Sequence, residues 1–230
     1  MATAENELIK LMPREDRTQL LDACETVELL SSAVLCEPGQ KVRYAYFPLD
    51  SFISLLTVVD DHAGVEVGMV GREGLLGASL AQGVLLVPLK AVVQGPGMAL
   101  RISAATLRRQ LSQSVAMQRL LHRYLFILMA QMATSAACLR YHQIGPRLAR
   151  WLLMSEDRAH SNHLNMTQDF LASMLGVRRV GVTQAAGELQ EAGLINYSRG
   201  ALTVMDRAGL KAMACSCYAV DQKTYADTLG

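Results

Sequence analysis

Residues 165–204 read NMTQDFLASMLGVRRVGVTQAAGELQEAGLINYSRGALTV. Thr167 stands where a helix N-cap is favoured, and Phe170, Leu171, Met174 and Leu175 follow at helical spacing, which predicts a short helix over 168–175. Gly176 breaks it. A second helix is predicted over 178–191 with Val182, Ala186 and Leu189 inward, and two short helices joined through a tight Gly turn form a helix-turn-helix. That inward set leaves Arg178, Arg179, Val180, Thr183 and Gln184 on the outer or N-terminal side, where a recognition helix meets base edges in the major groove. Beyond Ala192-Gly193, residues 194–204 read as two short strands around Ser198-Arg199-Gly200, the wing of a winged helix.

Charge agrees locally rather than globally. The chain of 230 residues holds 22 Lys+Arg against 21 Asp+Glu, a net charge of +1, so it does not bind polyanions by bulk electrostatics. Residues 140–200 hold seven arginines against five acidic residues, a basic edge suited to local docking. With 51% hydrophobic residues the chain is expected to bury a real core and not to be disordered.

Working back from the helix pair, residues 147–154 read as a helix with Leu148, Trp151 and Leu152 inward, followed by a polar loop over 155–165. Pro146 suits a first helical turn and disfavours helix in the residue before it, which predicts a hinge over 140–145. From Ser103, a plausible N-cap, to Leu139 the chain lacks Gly and Pro, and Leu107, Leu111, Leu120, Leu121, Leu125, Leu128 and Met132 recur every three or four residues. This predicts a long helix with a break near Ser112 to Ser114. Its second half is apolar on nearly every side, which a helix tolerates only when covered all round, so a homodimer through Leu121, Tyr124, Leu125, Leu128 and Met132 is expected. The competing reading is a central helix within one monomer.

Residues 27–102 are short β-rich runs (VELL, AVLC, FISLLTVV, VEVGMV, KAVVQ) punctuated by Gly and Pro, with a hairpin tip, including His62, over 60–64. Such punctuation predicts an antiparallel jelly roll or sandwich. An amphipathic helix before it would bury Leu8, Leu11, Leu20 and Leu21. The fold class expected is therefore α+β: an N-terminal β roll over 1–102, a dimerisation helix over 103–140 and a winged helix-turn-helix over 141–230.

In this order of elements the chain resembles the Crp/Fnr superfamily of bacterial transcription regulators. The resemblance rests on Thr167-Gln168-Asp169-Phe170-Leu171-Ala172-Ser173-Met174-Leu175-Gly176-Val177-Arg178-Arg179, on Glu188 to Ile195, and on the Pro38-Gly39 and Gly71 to Gly77 glycines of the roll. It implies a cyclic-nucleotide-binding-like roll and a homodimer on a near-palindromic operator in double-stranded DNA, and it allows RNA polymerase as a further partner. Two departures matter. Members that bind cyclic AMP hold the ribose with a Glu after a Gly and the phosphate with an Arg-Ser pair, whereas Gly77-Ala78 and Pro88-Leu89 stand at those places here. A buried charged ligand would lack its partners, so the effector is expected to be something other than cyclic AMP, in a pocket at Gly77, Ala78, Pro88, Leu89 and Lys90. Well-known members also place an adjacent Arg and Glu and a second Arg one turn on in the recognition helix. Arg179, Val180 and Gln184 occupy those places, implying guanine, thymine-methyl and adenine contacts and a different half-site. Thr167, Gln168, Arg178, Thr183, Ser198 and Arg199 complete the expected DNA face, with Arg178, Thr183, Ser198 and Arg199 on phosphates.

The first residues are acidic where a secretory start would be basic, no stretch reaches the ~20 apolar residues of a membrane span, and five scattered cysteines read as reduced thiols, so the protein is expected in the cytoplasm without a membrane. Cys215-Ser216-Cys217 is too tight for the common metal loop, the clustered thiolates of an iron-sulfur protein are missing near the N-terminus, and His160 and His163 read as surface groups, so neither a cofactor nor a metal is expected. Two other classes compete with the regulator. A cupin-like metal-dependent enzyme would need converging histidines on the roll, which offers only His62, and there is no nucleophile beside a base, so no enzyme is expected. A small-molecule receptor acting through protein contacts would leave Arg178, Arg179 and Arg199 without a purpose.

Overall fold

Seven strands in two antiparallel sheets build the N-terminal part of the computed structural model, which describes residues 5–60 and 64–230. One sheet has the order β1 (Glu25–Leu29), β7 (Gly97–Ser103), β3 (Tyr44–Pro48); the other has β2 (Val34–Cys36), β6 (Lys90–Gly95), β4 (Phe52–Thr57), β5 (Val65–Val70). Leu29, Tyr46 and Ala99 of the first share one core with Ile53, Leu55, Val70 and Val93 of the second, so this is a roll of two facing layers. Strands β3 and β7 are absent from the sequence reading. Pro48 closes one and the Gly95-Pro96-Gly97 turn opens the other, and both disguise apolar runs as loop. The expected hairpin tip, with His62, lies outside the described residues at 61–63.

The N-terminal helix is two helices, α1 (Glu7–Lys10) and α2 (Arg14–Asp22). Pro13 ends one register and starts another. Leu8 and Leu20 are fully buried as expected, but Leu11 lies past the end of α1 and Leu21 points a helical step away from Leu20, so both are exposed.

Ser103 accepts a hydrogen bond from Thr106 N (3.1 Å) and starts α3 (Ala104–Gln113). Ser114 does the same for Met117 N (3.1 Å) and starts α4 (Val115–Tyr141), so the break falls where the serines predict it. On α4, buried Gln131 accepts from Met69 N (2.9 Å), which satisfies its carbonyl and fastens the helix to β5. Two residues, His142 and Gln143, separate α4 from α5 (Ile144–Ala159), with Pro146 in the first turn. The helix α5 overruns the expected polar loop. Arg158 holds Glu73 of the roll at 2.8 Å and keeps residues 155–159 helical. The same loop also contains a strand, β8 (His163–Asn165).

The C-terminal unit follows with α6 (Gln168–Leu175), α7 (Arg179–Glu191), β9 (Ile195–Ser198) and β10 (Ala201–Val204), then α8 (Arg207–Met213) and α9 (Cys217–Leu229). Its three-stranded sheet has the order β8-β10-β9, so the wing carries a third strand that the sequence reading treated as loop. The core of this unit (Leu148, Trp151, Leu171, Val182, Leu189, Leu202) is continuous with Phe52, Leu56 and Met69 of the roll. Trp151 Nε1 also donates to Glu66 Oε1 of β5 (2.9 Å). Helix α9 turns back from the winged unit along α4, with Tyr225 Oη donating to Glu73 O (3.1 Å) and Leu229 buried in the N-terminal core. No helix among the described residues is long and apolar enough to cross a membrane.

Candidate nucleic-acid interface

Thr167 caps α6 by accepting from Phe170 N (3.1 Å), and Gly176 closes it in a left-handed conformation (φ 62°). The tight turn delivers the chain into α7, where Val182, Ala185, Ala186 and Leu189 face the core. Outward stand Arg178 at the N-cap, Arg179, Val180, Thr183 and Gln184, all exposed, Val180 at 72%.

Contacts knit these residues into one surface. The Thr183 hydroxyl lies 2.7 Å from Gln168 Oε1 and 3.1 Å from the Arg179 carbonyl, tying the start of α6 to the first turn of α7. Next to Thr167, Met166 N donates to Gly200 O (2.7 Å), so the wing tip abuts the α6 cap. Arg199 and Gly200 both have positive φ (51° and 85°), as a type I′ hairpin turn requires, and this throws Ser198 and Arg199 into solvent. The wing base is pinned by Tyr197 Oη donating to Met166 O (2.9 Å) and by Tyr197 N donating to Gln190 Oε1 (2.7 Å). Arg179 rests 3.5 Å from Asp169 in an exposed pair, and Gln184 Nε2 donates to Glu188 Oε1 (3.0 Å). Both contacts are solvent-exposed and of small worth, so either head group can exchange them for a base edge.

Between the roll and α4, a cavity of about 520 Å³ lies between Gly77, Ala78, Pro88 and Leu89 and the α4 residues Leu125, Phe126, Leu128, Met129 and Met132. Its polar lining is Ser79, Gln82 and His122, with neither a guanidinium nor a carboxylate among the described residues. Lys90 does not line it. Its ammonium is paired with Glu37 at 2.9 Å, which corrects its place in the expected pocket.

Residues 146–213 match the family model of the Crp-like helix-turn-helix domain. Similar folds include a protein from Eubacterium rectale assigned to the crp/fnr family (TM-score 0.70, 14% identity, 90% of this chain and 97% of that one). FixK2 from Bradyrhizobium japonicum gives TM-score 0.69 at 13% identity over 84% and 98% of the two chains. A CRP/FNR-family transcriptional regulator from Thermus thermophilus gives 0.62 at 22% identity over 83% and 98%. The chain carries a Crp-like helix-turn-helix domain on a Crp/Fnr-type fold. No curated protein matches it in sequence.

In this Crp-like arrangement α4 is the helix expected to pair with a second copy, and its exposed side differs from the expected one. Leu121 and Tyr124 are fully buried in the chain's own core, so they have no surface left for a partner. Leu125, Leu128 and Met132 are half-buried over the cavity. The open side carries Phe126 (51% exposed), Met129 (60% exposed), Ala133, Ala136 and Ala137. Periodicity alone could not separate these faces, because α4 is apolar around most of its circumference.

The sequence reading also left the cysteines scattered. The fold gathers Cys138, Cys215 and Cys217 into one buried cluster and places His142, from the α4–α5 break, beside it. A spacing of four residues from Cys138 to His142 at the end of a helix was the available signal, since it puts both on one face. Of the two other histidines considered, His160 caps α5 and His163 is exposed with Nδ1 2.9 Å from Thr203 Oγ1.

Proposed function

We propose that the chain is a sequence-specific DNA-binding transcription regulator that acts as a homodimer on a near-palindromic operator. The observation that carries this reading is the continuous surface running from exposed Arg178, Arg179, Val180, Thr183 and Gln184 on α7, through half-buried Gln168 and exposed Thr167, to Ser198 and Arg199 at the wing tip. Arg179 and Gln184 have the chemistry to read guanine and adenine, and Val180 that to meet a thymine methyl. Arg178 and Arg199 bring charge to flanking phosphates. The two-fold symmetry of the dimer would be mirrored in its operator.

The exposed stripe of α4 supports a second copy as its cover, because small alanines at 133, 136 and 137 let two helices approach closely while Phe126 and Met129 fill the space above them. The effector would be uncharged and largely apolar, since a phosphate or carboxylate in the cavity beside Gly77 and Leu89 would be desolvated without a counter-charge. Because Phe126 and Met129 belong both to the cavity wall and to the open face of α4, occupancy and dimer geometry would be linked through the same two side chains. Output through RNA polymerase and a cytoplasmic setting, where five free thiols stay reduced, belong to the same proposal.

Selection of bound duplexes from a random pool tests it. The expected result is an inverted repeat whose half-sites contain guanine and adenine, with affinity that falls steeply with salt as counterions are released. Binding that is weak and equal for all duplexes would overturn the reading.

A further inference from the structure

We propose that Cys138, His142, Cys215 and Cys217 form a tetrahedral binding site for one zinc ion at the junction of α4, α5 and α9. One ligand atom from each of the four residues lies within 4.8 Å of all the others. Cys138 Sγ and Cys215 Sγ are 3.5 Å apart, and Cys217 Sγ is 3.5 Å from His142 Nδ1. Zinc–sulfur bonds of about 2.3 Å and zinc–nitrogen bonds of about 2.0 Å at tetrahedral angles bring such atoms to roughly 3.5–3.8 Å from each other, so the cluster needs only small adjustments to close on an ion. Three thiolates and one imidazole are a recurrent donor set of closed structural zinc sites.

Independent of the cluster's shape, the charge around it points to an anionic centre. Arg147 is buried, its guanidinium donates to the Leu175 carbonyl, and among the described residues it has no carboxylate in ion-pair reach. Neighbouring Arg150 has one, Asp221 at 2.6 Å. Cys138 and Cys215 are the groups near Arg147 that favour its charge, against the like charge of Arg150. Zinc held by three thiolates and a neutral imidazole carries a net charge of −1, which would balance this unpaired cation. Loading would release the three thiol protons to solvent.

A disulfide between Cys138 and Cys215 uses two of the four groups and leaves the convergence of Cys217 and His142 unexplained. The ion also has a place in the architecture. Cys138 is in the last turn of α4, His142 caps that helix, Cys215 N donates to Pro146 O in the first turn of α5 (3.2 Å), and Cys217 opens α9. Zinc would therefore fasten the α4–α5 break to the chain that leaves the winged unit.

The test uses the full-length chain, purified under reducing, anaerobic conditions, exposed to zinc sulfate and then desalted, with metal measured by elemental mass spectrometry. One zinc per chain is expected, and Cys24→Ser, which lies outside the cluster, should retain it. Cys215→Ser and His142→Ala should each weaken zinc binding by at least about tenfold, as loss of a ligand does. Should Cys215→Ser fail to fold, cobalt loading of the unaltered chain reads the site directly, through the intense visible bands of a tetrahedral ion and sulfur-to-cobalt charge transfer. Hydrogen exchange at residues 138–147 and 215–220 should slow on loading, whether or not any duplex is bound. Substoichiometric zinc in the unaltered chain, an octahedral cobalt spectrum, a Cys138–Cys215 disulfide under these conditions or an iron-sulfur chromophore would each overturn the assignment.

Discussion

Glu66 sits half-buried on β5, its carboxylate accepting from Ser54 Oγ (2.5 Å) and Trp151 Nε1 (2.9 Å). Burial pushes its pKa up to about 7, and the two hydrogen bonds and the charges of Arg158 and Arg150 only partly oppose this. The folded chain thus holds a proton that the unfolded chain releases near its ordinary value of 4.5. Below that value both states are protonated and there is no penalty. Between it and about 7 the unfolded state ionises first, so stability falls as pH rises, and above about 7 the loss levels off. Glu66→Gln keeps a carbonyl acceptor without the charge, so it should flatten this stretch and raise stability at pH 8 by up to about 3 kcal/mol, checked by urea unfolding at pH 5 and pH 8. An unchanged pH profile would mean Glu66 is ionised throughout. Arg179 and Arg199 make a second contrast. Arg179→Ala should cost about 1–3 kcal/mol on the preferred duplex and flatten base preference at one position. Arg199→Ala should weaken all duplexes alike and lower the salt slope by about one. Binding of a set of single-base variants of the selected site, at two salt concentrations, separates the two.

The turn between α6 and α7 shows how an element is held from outside as well as from within. Gly176 has a positive φ that costs a non-glycine residue about 1–2 kcal/mol, and a Cβ there would come within 2.9 Å of Val65 Cγ2 on β5. Gly176→Ala should therefore destabilise the chain by more than backbone strain alone, and Val65→Ala in the same chain should restore the excess; denaturant midpoints of the two single variants and the double variant measure it. Helix α6, its Thr167 cap, the Gly176 stop and the Arg199-Gly200 wing turn were all legible in the sequence, because caps, left-handed stops and hairpin turns are written in adjacent residues. What was illegible depends on residues far apart. Strand β8 exists because β10 offers it a free edge, residues 155–159 stay helical because Arg158 finds Glu73, and Cys138 meets Cys215 only when α9 folds back. Leu11 and Leu21 were misplaced for a simpler reason: Pro13 resets the helical phase between them.

A molecule that reads an inverted repeat must place two recognition helices one turn of DNA apart, and a single copy of this chain has only one. In the proposed dimer, the surface that joins two copies is the open side of α4, where Phe126, Met129, Ala133 and Ala137 follow one another at three- and four-residue steps. In a paired helix such positions become the seam, and a charge there is buried without a partner in both copies at once. Because the face of α4 that carries Leu121 and Tyr124 is already committed to the chain's own core, the same charge on the open face should leave the fold intact. Met129→Glu should thus convert the proposed dimer to a folded monomer, with light scattering reporting mass and circular dichroism reporting helix content. The monomer keeps its whole DNA face, so it should still prefer the same half-site, but it loses the high effective concentration that tethering gives the second contact. Affinity for the full operator should fall by roughly 10²-fold or more while affinity for an isolated half-site changes little. A Met129→Glu chain that stays dimeric would place the dimer seam elsewhere, and one that is monomeric yet binds the full operator undiminished would separate dimerisation from operator recognition.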